Sequence, residues 1–258
     1  MNKQRLKVIL RISIILILGV LSWVFLSTQV SKFVNEQSFI NVPIIIILTG
    51  LGVTLSLVTL YRNKWVKEIG EWLSFIMMST LFILIIFSFI LLPSNVNQSS
   101  MYPTLESGDR ILIYHFNYQP VKNDIVVVEM DQETYPNIPD TSFLEDNTAS
   151  IIYYVKRLIG EPGDIITFES TGIQSENYYV LVNGEYAVSP TSLKYTLTNT
   201  QRLYLVEQLE NSVIPARMFF VLGDNAVSSL DSREFGLIYE EDLMGKVIFG
   251  LWPFGGIS

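Results

Sequence analysis

Ser100 stands in Ser99-Ser100-Met101-Tyr102-Pro103-Thr104-Leu105, just beyond a long apolar run. A serine hydroxyl is inert at neutral pH until a base takes its proton, so a nucleophilic serine needs a partner elsewhere in the chain. Two residues could serve. One is the single histidine, His115, in Arg110-Ile111-Leu112-Ile113-Tyr114-His115-Phe116. The other is Lys156, in the apolar stretch Tyr153-Tyr154-Val155-Lys156-Arg157. A free lysine, with a pKa of ~10.4, is almost wholly charged at neutral pH, and only desolvation makes it a base. On a strand, Tyr154 would share a face with Lys156 and supply part of that dry environment. The absence of cysteine excludes thiol catalysis, disulfides and thiolate-bound zinc. One histidine and no clustered acidic ligands argue against a metal site.

Something must carry these residues to their place. The apolar residues are concentrated in runs at about 8–27, 39–60 and 72–92, whereas 93–258 has ordinary globular composition. Each run has about the 20 residues that cross a hydrocarbon core, so 1–92 is expected to be a three-helix membrane anchor. Pro93 and the polar residues after it mark the boundary with a soluble domain at 93–258. Lys3, Arg5, Lys7 and Arg11 flank the first run and Arg62, Lys64 and Lys67 precede the third, against only Lys32 in the loop between the first two. Positive charge stays inside, so the N-terminus is expected in the cytoplasm and the soluble domain outside the cell membrane. Ser100 then lies at most ~25–30 Å along the chain from the last span. No carboxylate interrupts the three runs, which speaks for an anchor rather than an ion pathway.

In the soluble part, β-branched and aromatic runs predict strands at Ile111–Tyr114, Asp124–Glu129, Ile151–Val155, Ile165–Phe168, Tyr178–Val182, Met218–Leu222 and Lys246–Trp252. Residues 201–210 read as a helix, and 131–150, rich in Pro, Asp, Asn and Thr, as a long exposed loop. Short, closely spaced strands imply a mainly antiparallel all-β sandwich or partly closed barrel. The net charge of -8 excludes nucleic acid as a partner, since that needs a basic stripe.

Three further stretches bear on the chemistry: Tyr154-Val155-Lys156-Arg157-Leu158-Ile159-Gly160-Glu161-Pro162-Gly163-Asp164, Gly223-Asp224-Asn225, and Ser229-Leu230-Asp231-Ser232-Arg233-Glu234-Phe235-Gly236. With Ser100–Leu105 and Gly108-Asp109 they resemble, in order, the sequence boxes of bacterial type I signal peptidases. The resemblance runs from about residue 96 to the C-terminus and takes in Val182-Asn183-Gly184, Gly245-Lys246 and Trp252-Pro253. It implies a membrane-anchored serine endopeptidase that removes signal peptides from exported preproteins after A-x-A-type sites, with no cofactor and no metal. Ser100 matches the nucleophile, Lys156 the general base, Ser229 the serine that orients the lysine, and Asp231 and Arg233 a supporting ion pair. Similarity also places Val221 and Leu222 against the amine. The substrate would add as an extended strand between residues 96–99 and Tyr153–Val155, with Met101, Leu105, Tyr154 and Val155 forming its pockets. The eukaryotic branch has histidine at the lysine's own position, so this chain resembles the bacterial branch, and His115 matches no box.

Two positions depart from the pattern. Gln98 stands where a small residue helps the Ser100 backbone N–H to build the oxyanion hole, and Ala226 stands where arginine usually follows Gly223-Asp224-Asn225. They motivate a second reading, a signal-peptidase-like accessory or assembly protein with little or no hydrolysis. A third, a membrane protein whose β domain only binds a ligand, leaves Ser100, Lys156 and Ser229 as coincidence.

Overall fold

The computed structural model describes residues 6–17, 49–54, 64–138, 151–173, 175–252 and 254–256, and the chain divides into two compact units, Met1–Ile90 and Leu91–Ser258. In the first, residues 6–17 and 49–54 are helical and a 26-residue helix spans Lys64–Phe89. Among the described residues no helix is long and apolar enough to cross a membrane. Residues 18–27 of the first expected span and all of the second (39–60) except 49–54 lie outside those residues, as do the side chains at 77, 80, 81, 84, 85 and 87–89 of the long helix.

The third span was expected to run to Leu92, but the helix stops at Phe89 and Leu91–Asn95 is a strand, β1, of the second unit. Pro93 explains the change. It disfavours helical geometry at Leu92, and its missing N–H is tolerated on an edge strand, which is the place β1 takes beside β2 (Arg110–Tyr114).

The second unit is built of antiparallel strands, as its alternating apolar runs predict. β1 and β2 are followed by β3 (Ile125–Asp131), β4 (Ile151–Gly160), β5 (Ile166–Ser170), β6 (Asn177–Val182), β7 (Glu185–Tyr186), β8 (Thr196–Thr198), β9 (Met218–Leu222), β10 (Ile238–Tyr239), β11 (Leu243–Trp252) and β12 (Phe254–Gly256). The larger sheet has the order β1-β2-β11-β3-β4-β9-β10, with β12 folded back on β11; the smaller is β5-β6-β7, with β8 on β6. Asn183 and Gly184, both at positive φ, make the two-residue turn from β6 to β7, as Asn-Gly pairs do.

Strand β9 separates two apolar cores. Phe220 and Leu222 face one with Ile166, Val180 and Leu205, whereas Phe219 and Val221 face the other with Val126, Tyr154 and Phe235. A strand buried on both faces must be apolar throughout, and Met-Phe-Phe-Val-Leu is. The helix expected at 201–210 spans Asn199–Gln208, shifted towards the N-terminus by a capping box between Thr198 and Gln201. The loop expected at 131–150 is not fully exposed where it is described. Tyr135 and Ile138 are buried in the second core, and the Tyr135 hydroxyl donates to Asp242 at 2.6 Å. Residues 139–150 lie outside the described residues.

Phe220 is fully buried where the smaller sheet meets β9. Phe220→Ala is expected to cost about 3–5 kcal/mol of stability through the cavity it leaves. Urea unfolding of the detergent-solubilised chain, followed by circular dichroism, measures that loss.

Candidate active site

Strand β4 presents Tyr154, Lys156 and Leu158 on one face, and its register with β3 sets Val128 opposite Tyr154 and Val126 opposite Lys156. The lysine therefore projects into the second core and is 0% exposed. Its Nζ lies 2.7 Å from Ser100 Oγ and 5.3 Å from the centre of the Tyr154 ring. Burial pushes the amine down to about 8, opposed by attraction to Asp231; Arg233 lowers it further and Asp224 raises it. Lys156 is thus the base-type side chain that meets the serine. His115 sits at the end of β2 against Gly245 of β11, and burial lowers its pKa.

Ser100 belongs to the connection between β1 and β2. The connection is closed at its base by Val96 N–H to Asp109 O at 2.9 Å and Gly108 N–H to Val96 O at 2.7 Å. Met101 and Leu105, 1% and 2% exposed, fill its underside, so the turn rests on an apolar plug. A second loop, 223–229, holds Ser100 from the other side. Asn225 N–H donates to the Ser100 carbonyl at 3.0 Å and its Nδ2 to the Ser99 carbonyl at 3.2 Å. Thr104 Oγ1 donates to Asp224, and Arg157 grips the same carboxylate with two bonds of 2.8 Å.

Gly223 is the tightest point. A Cβ there would fall 2.0 Å from Ser229 Oγ and 2.6 Å from the Ser100 carbonyl oxygen. Its N–H donates to Asp231 Oδ2 at 3.1 Å, and its carbonyl accepts from the buried Tyr195 hydroxyl at 2.9 Å. Asp231 and Arg233 form a buried two-bond ion pair at 2.8 and 2.9 Å, and Asp231 also caps the short helix Ser232–Phe235. Arg233 Nη1 reaches the carbonyls of Ala226 and Thr196 at 2.9 and 3.1 Å. Position 226 contributes its backbone oxygen, a contact that does not depend on its side chain.

The remaining expected residues fall in different places. Gln98 is exposed and, with Asn97, Ser99, Ser100, Val227 and Ser229, lines an open cleft of about 630 Å³. Ser229 Oγ is buried and makes no hydrogen bond among the described residues. It lies over Gly223 rather than bonding the amine, which is directed at Ser100. Met101, Leu105 and Tyr154 do not line the cleft. The first two are the plug beneath the turn, and Tyr154, 6% exposed, packs on Phe235 in the core. Val155 points from the opposite face of β4 to Tyr154 and Lys156.

The clamp of Arg157, Asp224, Asn225 and Thr104 was not expected from the residues. Arg157 and Gly223-Asp224-Asn225 stood in quoted motifs, but nothing in their spacing pairs residues 67 positions apart. Glu234, which stands in the Ser229–Gly236 motif with no role assigned from the sequence, also lines the cleft.

A family model described as signal peptidase, peptidase S26, matches residues 69–252. Signal peptidase IB of Staphylococcus aureus is 34% identical over 201 residues, 73% of this chain and 92% of that protein. Signal peptidase I of Bacillus caldolyticus is 34% identical over 167 residues, 62% of this chain and 78% of that protein. A crystal structure of a signal peptidase I from Enterococcus faecalis covers 50% of this chain and 97% of its own at 24% identity, with a TM-score of 0.27, too slight a likeness to bear on the fold.

The buried lysine carries a stability cost of definite sign. Its folded-state pKa of about 8 lies below the ordinary 10.5, so between those values the unfolded chain binds the extra proton and stability rises with pH. Below pH 8 the cost is present in full, on the order of 3 kcal/mol. Lys156→Met is expected to stabilise the protein at pH 7, with a gain that fades as pH rises towards 10.5. Denaturant unfolding of both proteins across that range measures it.

Proposed function

The chain belongs to the signal peptidase family, peptidase S26, whose members are serine endopeptidases, and on that footing we propose that Ser100 and Lys156 are the dyad with which it removes signal peptides from exported preproteins. The observation that carries the reading is the 2.7 Å contact between a buried amine and the serine hydroxyl. Neutral Lys156 accepts the Oγ proton as Oγ attacks the scissile carbonyl carbon, giving a tetrahedral oxyanion and an ammonium. The ammonium passes that proton to the leaving amine as the C–N bond breaks, and an ester to Ser100 remains. Water then attacks the ester, the lysine takes its proton and returns it to Oγ, and the signal peptide leaves with a free carboxylate.

The Ser100 backbone N–H and the Gln98 side-chain amide are the donors to the oxyanion. Ser229, whose buried hydroxyl has no other partner among the described residues, orients the amine once Oγ is bound to substrate. The Asp231–Arg233 pair supports the loop that holds both serines. Support for an anchor is in the sequence, in the three apolar runs and the basic residues that flank the first and precede the third. They place the β domain on the outer face of the membrane, where a signal peptide leaves the bilayer. The shallow cleft beside Ser100 suits the small side chains of an A-x-A site.

The detergent-solubilised wild type is expected to cut a secretory precursor bearing an A-x-A site, and Ser100→Ala and Lys156→Ala to lose at least ~10⁴-fold in rate. Below about pH 8 the wild-type kcat/KM should fall tenfold per pH unit, as the amine becomes charged, and level off above it. Cleavage that survives Ser100→Ala, or a profile flat from pH 6 to 9, overturns the assignment.

A further inference from the structure

The cleft beside Ser100 is lined by hydroxyls, amides and a few apolar groups, and among the described residues its only ionisable side chain is Glu234. Among the described residues no lysine or arginine lines it. Of the neighbouring cations, Lys156 is buried against Ser100 and Arg233 is held by Asp231.

Glu234 is exposed but anchored. Its N–H donates to Asp231 O at 2.8 Å, and its carbonyl accepts from Asn137 Nδ2 at 3.2 Å. Its Oε1 accepts a hydrogen bond from Gln201 Nε2. Gln201 is itself fixed, because its Oε1 closes the capping box with Thr198 N–H at 2.7 Å. An amide partner orients a carboxylate without cancelling its charge, and the carboxylate keeps room for a second donor. Among the described residues this carboxylate has no ion-pair partner within contact distance; Arg233 feels its charge but is committed to Asp231, so the cleft holds one oriented negative charge in a chain of net charge -8.

We propose that Glu234 is a specificity-determining residue: it selects a lysine or arginine on the exported polypeptide lying in the cleft and disfavours an acidic residue at the same point. The inference rests on the cleft being the peptide-binding site of the proposed function. The contact lies away from the reacting atoms and is held alike in ground and transition states, so it acts on KM rather than kcat. An ion pair open to water changes kcat/KM by about two- to fivefold and fades as salt rises to about 1 M.

The test is a set of precursor peptides of one parent sequence, with Ala, Lys or Glu placed in turn at each position on either side of the cut. Cleavage is measured with full-length wild type, Glu234→Gln and Glu234→Lys. Binding of the same peptides to full-length Ser100→Ala and to its two Glu234 double variants is measured by fluorescence anisotropy. The expected result is one position at which wild type ranks Lys above Ala above Glu through KM. Glu234→Gln flattens that ranking and Glu234→Lys inverts it, and binding follows the same order. Equal Lys-to-Glu ratios at every position for all three side chains at 234 overturn the proposal. A parent peptide that binds with the ranking but is never cut sinks the catalytic reading and leaves this one standing.

Discussion

The arrangement depends on keeping one ammonium group out of water. Lys156 can act on Ser100 only while its neutral form is accessible, and desolvation is the largest influence that makes it so. Tyr154, Leu158, Val126, Val221 and Phe235 belong to the core that does the desolvating, and they come from four different elements. Charge nearby would undo the effect. Asp231 alone would stabilise the ammonium, but Arg233 binds the same carboxylate and pushes the opposite way. The ion pair thus has an electrostatic use besides its structural one: it brings an arginine to the loop beside the lysine while leaving little net field on the amine.

Strand β4 links Lys156 to the Ser100 turn through its two faces. Lys156 meets Ser100 directly, and the next residue, Arg157, holds Asp224, which takes the Thr104 hydroxyl. Asn225, adjacent to Asp224, fixes the carbonyls of Ser99 and Ser100. A slip of β4 by one residue would exchange the faces and remove both connections together. Seven paired positions with β3, together with pairing to β9 on the other side, set that register.

The strands were legible because apolar and β-branched residues recur with the period of a pleated sheet. The losses came where another force decided. Leu91 and Leu92 continue an apolar run, yet Pro93 and pairing with β2 draw them into a strand. Tyr135 and Ile138 sit in a polar stretch but are buried in the second core, where Tyr135 packs against Phe235 and Tyr239. The Thr198–Gln201 box, three residues apart, was the signal that fixed the true start of its helix. For the site, Ser100 and Lys156 stand 56 residues apart and no local pattern joins them; only the resemblance of whole motifs did. The expected pocket residues Met101, Leu105 and Tyr154 lie in the core and not along the described cleft, for a related reason. A motif shows that Met101, Leu105 and Tyr154 are near the chemistry but not whether they face the cleft or the core.

The departures from the family pattern differ in kind. Ala226 is absorbed because the neighbouring ion pair uses its carbonyl, which every residue has. Gly223 admits no such freedom, since the Ser229 hydroxyl and the Ser100 carbonyl crowd the place where a side chain would begin. Gln98 lies between these cases: it lines the cleft and is exposed. A longer donor loses more rotamer freedom when it engages an oxyanion, so its contribution to rate is smaller than that of a donor fixed in advance. On the proposed mechanism the cost of Gln98 therefore falls on turnover and not on folding. Lys156 is the reverse case: its burial lowers stability at neutral pH, and on the proposed mechanism that burial is what makes it a base for the serine.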